Sequence, residues 1–371
     1  MGMVTARDLT ESPEVSEVII ADANVEKAKQ IQAWTESKKV TITKLDVSDH
    51  ESLVNVMQKA DAVANAAPYH LNMAITKAAI DAKRNLTDLG GVYHMTLKQL
   101  KLDTEAKKAG VSIVLGCGVA PGIADVLAKF GADKLDAVDE AHIRYGEVNF
   151  DPAKYKWTFR TVLEEYTAGP VVFQDGKFKE LTPFSGKEIF EFPEPIGKRN
   201  CCYALYSGLA TLPKTIGKGV NLVDCAMVYT DEDEQRIKIL NEMGMTATQL
   251  IKVNGASISP REFLFRVAPP PDVKTRDAAG IVVTVSGKKN EEAVKLVYSL
   301  VYHFHKKYSV SALAYLTGMP LSVVAQMLAK SEIEETGVLP PETAIKAEPF
   351  FKEIAKRGVE ITETVQRTHV L

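Results

Sequence analysis

The chain has 371 residues, with 45 Lys plus Arg against 48 Asp plus Glu, and its formal net charge is −3. Because positive and negative charges are nearly balanced, the composition does not indicate binding to nucleic acid. The lack of an 18-residue apolar run argues against a membrane-spanning helix. The N-terminus does not look like a secretory signal, and the four cysteines show no CxxC spacing, so we expect a cytoplasmic protein with neither a membrane nor a nucleic-acid partner.

Short strands alternate with helices over the first third of the chain. Strands are predicted over 17–21, 40–46, 61–67, 85–89 and 111–116, and helices over 24–37, 48–60, 70–82 and 97–110. Asn24 is the expected N-cap of the first of these helices, Ser48 or Asp49 that of the second, and Gly110 ends the last. This alternation predicts parallel βαβ units and a Rossmann-type doubly wound sheet, which binds ligands beyond the carboxyl ends of its strands.

Small residues and glycines cluster at those predicted carboxyl ends. The ends carry Asp22, Asp46, the run Asn65-Ala66-Ala67-Pro68-Tyr69, the run Asp88-Leu89-Gly90-Gly91, and the run from Gly116 to Gly122 that includes Gly118, Val119 and Pro121. A tight turn explains any one glycine loop, but several loops at one edge favour a cofactor cleft.

Asp22 is the residue expected to accept hydrogen bonds from the adenosine ribose of a dinucleotide. Its charge repels a 2′-phosphate and no arginine follows it, which favours NAD over NADP; the alternative is an ordinary acidic residue at a helix N-terminus. The first strand and the full G-x-G-x-x-G fingerprint are missing, and only Gly2, 20 positions before Asp22, can serve as a fingerprint glycine. Either the recorded start lies downstream of the true one, or the chain binds dinucleotide poorly.

A different pattern begins near residue 125. Strands are predicted over 141–148, 187–192, 200–206, 220–230, 248–253, 279–287 and 292–304, with a hairpin over 170–181 on the Asp175-Gly176 turn and a helix over 231–244. These strands predict a largely antiparallel sheet, one face of which is available for a partner subunit in a homodimer or higher homo-oligomer. In the strand 292–304, strict alternation puts Val294, Leu296, Tyr298, Leu300, Tyr302 and Phe304 on one face.

From about residue 309 the pattern is again helical. Pro320 is placed near the start of a helix over 320–331, followed by an extended loop over 337–342, a helix over 346–357 and a strand-like tail. We expect this end to return to the first domain. The predicted division is therefore a dinucleotide-binding domain (1–124), a substrate and dimerisation domain (125–308) and a returning C-terminal segment (309–371).

Several other residues have both a functional and a simpler structural interpretation. His303 and His305 share a strand face, but no third metal ligand is near in sequence, so no metal site is expected. Cys117 lies where a nucleophile would lie, yet has no specified base, and a packing role is favoured, as it is for Cys201 and Cys202. The end of the strand at Tyr206-Ser207-Gly208 either lines a substrate pocket or is an ordinary strand end.

An arginine of the second domain is expected to hold a substrate carboxylate, because a guanidinium fork matches its geometry. The candidates are Arg144, Arg160 and Arg199. The pattern does not choose among them, and a solvated surface arginine is the alternative for each.

Together these motifs resemble the saccharopine dehydrogenase family, and within it the lysine 6-dehydrogenase-like branch. The matching stretches are ARDL (6–9), the strand ending in Asp22, TDLGG (87–91), GVAPGIADVLA (118–128), Tyr206-Ser207-Gly208, and AYLTGMPLSVVAQML…GVLPPE (314–342). The resemblance implies a Rossmann domain interrupted by a mixed α/β domain with substrate and dimer contacts. The lost first strand departs from the family pattern and bears on cofactor affinity.

The resemblance implies NAD-dependent oxidation of an amine carbon of L-lysine, in lysine metabolism. Saccharopine dehydrogenase or reductase activity, or a catalytically silent member, is the alternative. In this reading Asp88 contacts the amine, Tyr69 and Tyr206 orient it, and Gly118, Val119 and Pro121 border the nicotinamide. The remaining cofactor positions are Gly2, Asp22, Asp46, Asn65, Ala66, Ala67, Pro68 and Gly90.

Overall fold

The first third of the chain follows the predicted alternation of strands and helices. The computed structural model describes residues 1–151 and 158–368. The elements are α1 (Gly2–Glu11), β1 (Val18–Asp22), α2 (Val25–Thr35), β2 (Val40–Lys44), α3 (His50–Met57), β3 (Ala62–Asn65), a 3₁₀ turn (Tyr69–Leu71), α4 (Asn72–Ala82), β4 (Asn85–Asp88), α5 (Tyr93–Leu100), α6 (Asp103–Ala109) and β5 (Ser112–Val114). The single helix predicted over 97–110 is wrong: two helices cover it. Asp103 and Glu105 fill the first turn of α6, where the helix dipole favours acidic side chains.

Local capping explains several of these boundaries. The side chain of Asn24 accepts a hydrogen bond from the Lys27 amide (3.0 Å), as predicted. Asp49, rather than Ser48, caps α3 by accepting from the Ser52 amide (3.0 Å). Gly110 ends α6 in the left-handed conformation at φ +72°, which glycine adopts without strain.

The parallel strands lie in two separate sheets. One sheet has the order β16-β5-β4-β3, with β16 (Gly337–Leu339) contributed by the end of the chain, and all its pairs are parallel. Strands β1 and β2 pair with each other in parallel and form the second sheet. Within residues 1–151 and 158–368, no strand precedes β1 or joins these two sheets. The parallel pairing agrees with the predicted Rossmann-type fold.

The remaining elements build a larger sheet and its helices. They are α7 (Ile123–Asp133), β6 (Ala137–Asn149), α8 (Phe159–Thr167), β7 (Val171–Gln174), β8 (Lys177–Glu180), β9 (Glu188–Glu191), β10 (Lys198–Tyr203), a 3₁₀ turn (Ser207–Ala210), α9 (Leu212–Ile216), β11 (Leu222–Val228), α10 (Asp231–Glu242), β12 (Ile251–Val253), β13 (Ala256–Ile258), α11 (Pro260–Val267), β14 (Asp277–Lys289), β15 (Glu292–His303), α12 (Ala312–Ala329), α13 (Pro341–Ala344), α14 (Ala347–Lys356) and β17 (Thr362–Thr368). The hairpin β7-β8 turns on Asp175-Gly176, as predicted.

The large sheet has the order β17-β15-β14-β6-β11-β10-β9, with β7 and β8 attached to β11. The expectation of a largely antiparallel sheet is confirmed; β6 and β11 form a parallel pair within it. The alternation predicted in β15 is confirmed from Val294 to Leu300, which are buried at every second position. Packing of one sheet face on a partner subunit stays a prediction.

The end of the chain contributes to both sheets. The segment 337–342 is not only an extended loop, because β16 pairs with β5 and α13 starts at Pro341. The tail does not return to the first domain: β17 pairs antiparallel with β15 in the large sheet, and the Tyr298 hydroxyl donates to Glu363 Oε1 (2.8 Å). The three predicted domain limits stay predictions.

Helix α12 is a single 18-residue element, and Pro320 lies inside it rather than near a helix start. Ser311 caps this helix by accepting a hydrogen bond from the Ala314 amide (3.2 Å). The helix continues through Pro320 because packing on nearly every side of it stabilises the helical conformation. By length and composition α12 would also pass for a membrane span, but 89% of it is buried inside the protein. The cytoplasmic location and the absence of membrane and nucleic-acid partners stay predictions.

Candidate active site

Two acidic side chains predicted to bind cofactor lie exposed at the ends of β1 and β2. Asp22 accepts from the Asn24 amide through Oδ1 (2.7 Å), and in the described chain its Oδ2 has no partner. It lies opposite Lys44 in the strand register. Asp46 accepts from the backbone and hydroxyl of Ser48 (2.9 and 2.7 Å), which lowers the pKa of Asp46 below its usual value.

Gly2 lies at the N-terminus of α1, against the loop that follows β3. A Cβ at Gly2 would lie 3.0 Å from Ala66 Cβ, so only glycine lets helix and loop approach this closely. A helix N-terminus at the sheet edge is also a site that favours phosphate. Dinucleotide binding by Gly2, Ala66 and Asp22 stays a prediction.

Side-chain amides tie together the loops after β3 and β4. Asn65 accepts from the Ala67 amide (3.0 Å) and donates to Asn72 Oδ1 (3.0 Å). Asn72 in turn donates to the carbonyl of Gly90 (3.0 Å). The predicted cofactor residues from Asn65 to Pro68 are thus brought next to Gly90.

Asp88 is buried beneath these loops, with no exposed surface. Its Oδ1 accepts from the amides of Gly90 (2.7 Å) and Gly116 (2.8 Å), and its Oδ2 accepts from Gln99 (2.8 Å) and Asn72 (3.4 Å). Burial raises the pKa of Asp88 above its usual value. This enclosure counts against the predicted contact with a substrate amine, which stays a prediction, and gives Asp88 a positioning role.

The GVAPG segment forms a closed loop beside Gly90. The Gly118 amide donates to the Pro121 carbonyl (2.9 Å), and Gly122 has φ +116°. A Cβ at Gly90 would lie 3.0 Å from Pro121 Cγ, so the two loops are in close contact. The side chain of Val119 is buried in the core, and the predicted contact with nicotinamide therefore falls to the backbone of this loop.

Tyr206 lies behind this loop. Its hydroxyl donates to Asp125 Oδ1 (2.7 Å), and Asp125 Oδ2 accepts from the Gly122 amide (2.9 Å). Burial and the nearby Glu342 hold the pKa of Asp125 well above its usual value. Tyr206 is itself buried, which counts against its predicted role in orienting substrate, and its visible role is to hold the loop.

Tyr69, the other predicted orienting residue, is half-buried. Burial, and then the charge of Glu164, raise the pKa of Tyr69 to about 12. Burial, and then the charge of Arg160, lower the pKa of the neighbouring His70. Tyr69 and His70 thus lie within electrostatic range of charged residues on α8 and α11.

The charged residues on α8 and α11 form ion pairs. Arg160 forms a bidentate ion pair with Glu262 (2.9 and 2.7 Å) and lies over the ring of Phe265 (4.1 Å). Arg261 pairs with Glu164. Arg160 was a sequence candidate; Glu164, Arg261 and Glu262 were not, because no local signal links residues about 100 positions apart.

The other two candidate arginines lie on the large sheet. Arg144 is buried in ion pairs with Asp224 and Glu188. Arg199 donates to the carbonyl of Lys198 on β10. The expected contact of one of these arginines with a substrate carboxylate stays a prediction.

The histidines and cysteines that were weighed as functional candidates have structural contacts in the described chain, and the expected absence of a metal site stays a prediction. His305 stacks on Tyr308 (centroids 4.3 Å apart), His303 is exposed, and no group of three metal-ligating side chains occurs in residues 1–151 and 158–368. Burial raises the pKa of the Cys117 thiol, which disfavours the nucleophilic thiolate form. Cys201 and Cys202 are likewise buried and fill the core.

Comparison with known proteins places this architecture in one family. Residues 1–114 match the model of the saccharopine dehydrogenase NADP binding domain, and residues 118–359 that of the saccharopine dehydrogenase C-terminal domain. Among curated proteins, carboxyaminopropylagmatine dehydrogenase of Synechocystis sp. is 23% identical (98% of this chain, 95% of that protein), and carboxynorspermidine synthase of Vibrio cholerae is 24% identical (97% and 93%). The solved structure of saccharopine dehydrogenase (L-Glu forming) from Saccharomyces cerevisiae has the same fold, with a TM-score of 0.75 at 18% identity over 98% of both chains.

These findings confirm the predicted family and fold. They also confirm the enzyme class, an oxidoreductase acting on CH–NH₂ or CH–NH groups. The first domain is a nucleotide-binding domain for NAD(P). The chain therefore belongs to the saccharopine dehydrogenase family and is an oxidoreductase of that family.

Proposed function

We propose that this chain catalyses the reversible, NAD(P)-dependent oxidation of a secondary amine in which an amino-acid part is joined to a second, polyamine-like amine. The observation that carries the proposal is the group of ion pairs on α8 and α11, formed by Arg160, Arg261, Glu164 and Glu262, whose charges act on Tyr69. We propose that the substrate binds in a cleft between these ion pairs and Tyr69. A substrate with both a carboxylate and cationic nitrogens matches these charges in sign.

This substrate class replaces free L-lysine as the favoured one. The relatives that span nearly the whole chain are named for carboxyaminopropylagmatine and carboxynorspermidine, not for lysine. Saccharopine, the notable alternative, is also a secondary amine that joins two amino-acid parts. The proposal therefore keeps the predicted reaction type and changes the expected substrate.

The ion pairs of the cleft are suited to exchange partners with a substrate. Arg160 keeps 26% of its side chain exposed and Glu262 keeps 55%, so solvent screens their attraction. A substrate carboxylate can take the place of Glu262 on the Arg160 fork at little cost. The released Glu262 then faces the cationic part of the same substrate.

The edge of the first domain supplies the residues that would hold the cofactor. Asp22 would bind the adenosine ribose, the N-terminus of α1 at Gly2 the phosphates, and the backbone of the 118–122 loop would border the nicotinamide. The chemistry that the bound dinucleotide supplies is hydride transfer. The chain's own contribution is to orient the amine beside Tyr69 and to hold the loop rigid through Asp125 and Tyr206.

A substrate panel tests the proposal. With NAD⁺ or NADP⁺, absorbance at 340 nm is followed for carboxynorspermidine, saccharopine and L-lysine. We expect the secondary amines to exceed lysine at least about 100-fold in kcat/KM, because lysine leaves polar groups of the cleft without partners. A preference for lysine would contradict the proposal, and NADH binding without turnover of any compound would identify a silent member.

NAD is proposed over NADP on the basis of Asp22. Asp22→Ser is expected to weaken NADH binding about tenfold, since one charge-assisted hydrogen bond is worth ~1.4 kcal/mol, and to strengthen NADPH binding. Calorimetric titration with both dinucleotides measures this. Asp61→Ser, an exposed aspartate at the amino end of β3, is the matched control and should change neither affinity. Tighter NADPH binding by the unaltered protein would show that Lys44, beside Asp22, decides the preference instead.

A further inference from the structure

Strand β17 forms one edge of the large sheet, and its outer side is open. It pairs with β15 in antiparallel register from Thr362 to Thr368. Within the described ranges 1–151 and 158–368, no strand pairs with its other side. All seven residues of β17 are exposed. Because every second residue of an edge strand directs its N–H and C=O groups away from the sheet, β17 offers backbone donors and acceptors to a further strand.

The composition of β17 favours such pairing. Edge strands are commonly protected by a proline or a β-bulge. The sequence TETVQRT contains no proline, and its register with β15 is regular. Threonine and valine favour extended strands, and Val365 at the centre is an apolar side chain that is 48% exposed. A partner strand would cover this side chain.

The sequence of β17 is also complementary to itself in the antiparallel direction. When two copies pair with Val365 opposite Val365, Glu363 of each copy lies opposite Arg367 of the other, and Thr362 lies opposite Thr368. Opposite charges directly across an antiparallel pair are stabilising, and two-fold symmetry makes this ion pair occur twice. This complementarity identifies a second copy of the chain as the strand that fits the edge.

The two charges lie on the face of the sheet that packs against helices. Glu363 lies opposite Tyr298 and Arg367 opposite Val294, both buried residues of β15. Oε1 of Glu363 accepts from the Tyr298 hydroxyl (2.8 Å), and Glu363 pairs with Lys134. These contacts orient the carboxylate, and its side chain is still 38% exposed. Glu363 can therefore also accept from a guanidinium of the partner subunit.

A groove next to β17 extends the surface available to a second copy. The groove has a volume of about 330 Å³, and its mainly apolar lining includes Phe351 and Ala355 of α14, Ile361, and Glu363 of β17. Because Glu363 belongs to both, the groove and the strand edge are continuous. A contact between two copies thus has apolar surface beside the backbone and ionic groups of the strand.

We propose that two copies of this chain pair through β17, antiparallel and about a two-fold axis at Val365, so that their large sheets form one continuous sheet. The inference is independent of the proposed reaction. It also differs from the expectation that a face of the sheet packs on a partner subunit, because the contact is made by a sheet edge.

Cross-linking of single cysteine variants tests the register. In Val365→Cys the new thiol faces its own copy, with Cβ atoms about 5 Å apart. The four native cysteines are buried. A short bis-maleimide added to the whole chain is expected to give a covalent dimer on a denaturing gel. Thr362→Cys is the matched control on the same exposed strand, because its two copies would lie about 20 Å apart. Any other pattern, including equal cross-linking of both variants, overturns the proposal.

Charge reversal tests the ion pairs. In Arg367→Glu the new carboxylate faces Glu363 of the partner subunit, twice in each dimer. We expect the dimer Kd, measured by sedimentation velocity over a concentration series, to rise about 10- to 100-fold. Lys295→Glu, an exposed charge reversal on β15, is the control and should leave this Kd unchanged. Circular dichroism checks that each variant is folded.

Mixing two variants supplies the decisive comparison. Glu363→Arg is also expected to weaken its own dimer, but mixed with Arg367→Glu it restores two pairs of opposite charge. The mixed dimer is therefore expected to form more tightly than either variant alone. If Glu363→Arg does not fold, the comparison of Arg367→Glu with Lys295→Glu decides. A monomer at every concentration of the unaltered protein, or a dimer whose Kd is the same in Arg367→Glu, overturns the proposal.

Discussion

Asp88→Ala is expected to destabilise the protein by about 3–5 kcal/mol, because the change leaves buried donors facing an empty site. The amides of Gly90 and Gly116 and the side chains of Gln99 and Asn72 would all lose their acceptor. That is a large share of the usual 5–15 kcal/mol of folding stability. Urea denaturation followed by circular dichroism measures the loss.

Asp88→Asn is the matched variant, and it also tests the predicted catalytic role. The asparagine oxygen can still accept from the Gly90 and Gly116 amides, but its NH₂ group faces the donors of Gln99 and Asn72. We expect Asp88→Asn to lower the free energy of unfolding by about 1–3 kcal/mol. If Asp88 only holds the loops in place, the fold-decrease in turnover of Asp88→Asn is no larger than the fold-decrease in its NADH affinity. Loss of turnover with stability and NADH binding intact would restore Asp88 to the reaction itself.

Gly122→Ala is expected to distort the 118–122 loop and to lower the free energy of unfolding by about 3 kcal/mol or more. Gly122 has φ +116° and ψ −97°, a conformation essentially reserved for glycine. An added Cβ would lie 2.2 Å from the Gly118 carbonyl oxygen and 2.6 Å from its amide nitrogen. Both are backbone atoms of the same closed loop, so neither can move aside without opening it.

Gly110→Ala is the control for backbone conformation alone. Gly110 also has a positive φ of +72°, but no atom lies within 4 Å of an added Cβ. Its expected cost is about 1–2 kcal/mol, with NADH binding unchanged. Gly122→Ala should lose both stability and NADH affinity in the same melting and calorimetric measurements. Equal effects in the two variants would show that overlap with Gly118 is unimportant.

The order of elements in the first third was predictable because its signals are local. Strand and helix periodicities, the cap at Asn24 and the glycine at Gly110 each depend on residues within a few positions. The same holds for the Asp175-Gly176 hairpin. Where a local signal was ambiguous, as at Pro320, burial over the whole length of α12 decided the outcome.

The roles of the candidate site residues were less predictable than their locations. The sequence placed Asp88 correctly at the end of a strand, whereas Tyr206 lies three residues beyond the end of β10, just before the 3₁₀ turn. It did not reveal that Asp88 is enclosed by four donors, or that Tyr206 binds Asp125 behind the loop. Burial depends on what other parts of the chain cover a residue, and that information is not contained in its neighbours.

By itself the sequence determined the alternation of strands and helices, the Rossmann-type fold and the family. These follow from spacing, turn chemistry and motifs that act over a few residues. Only the tertiary structure decided that β17 joins the large sheet and that Arg160 and Glu262 pair across about 100 residues. The reason is physical: pairing, burial and isolation of charge depend on which distant segments the fold brings together.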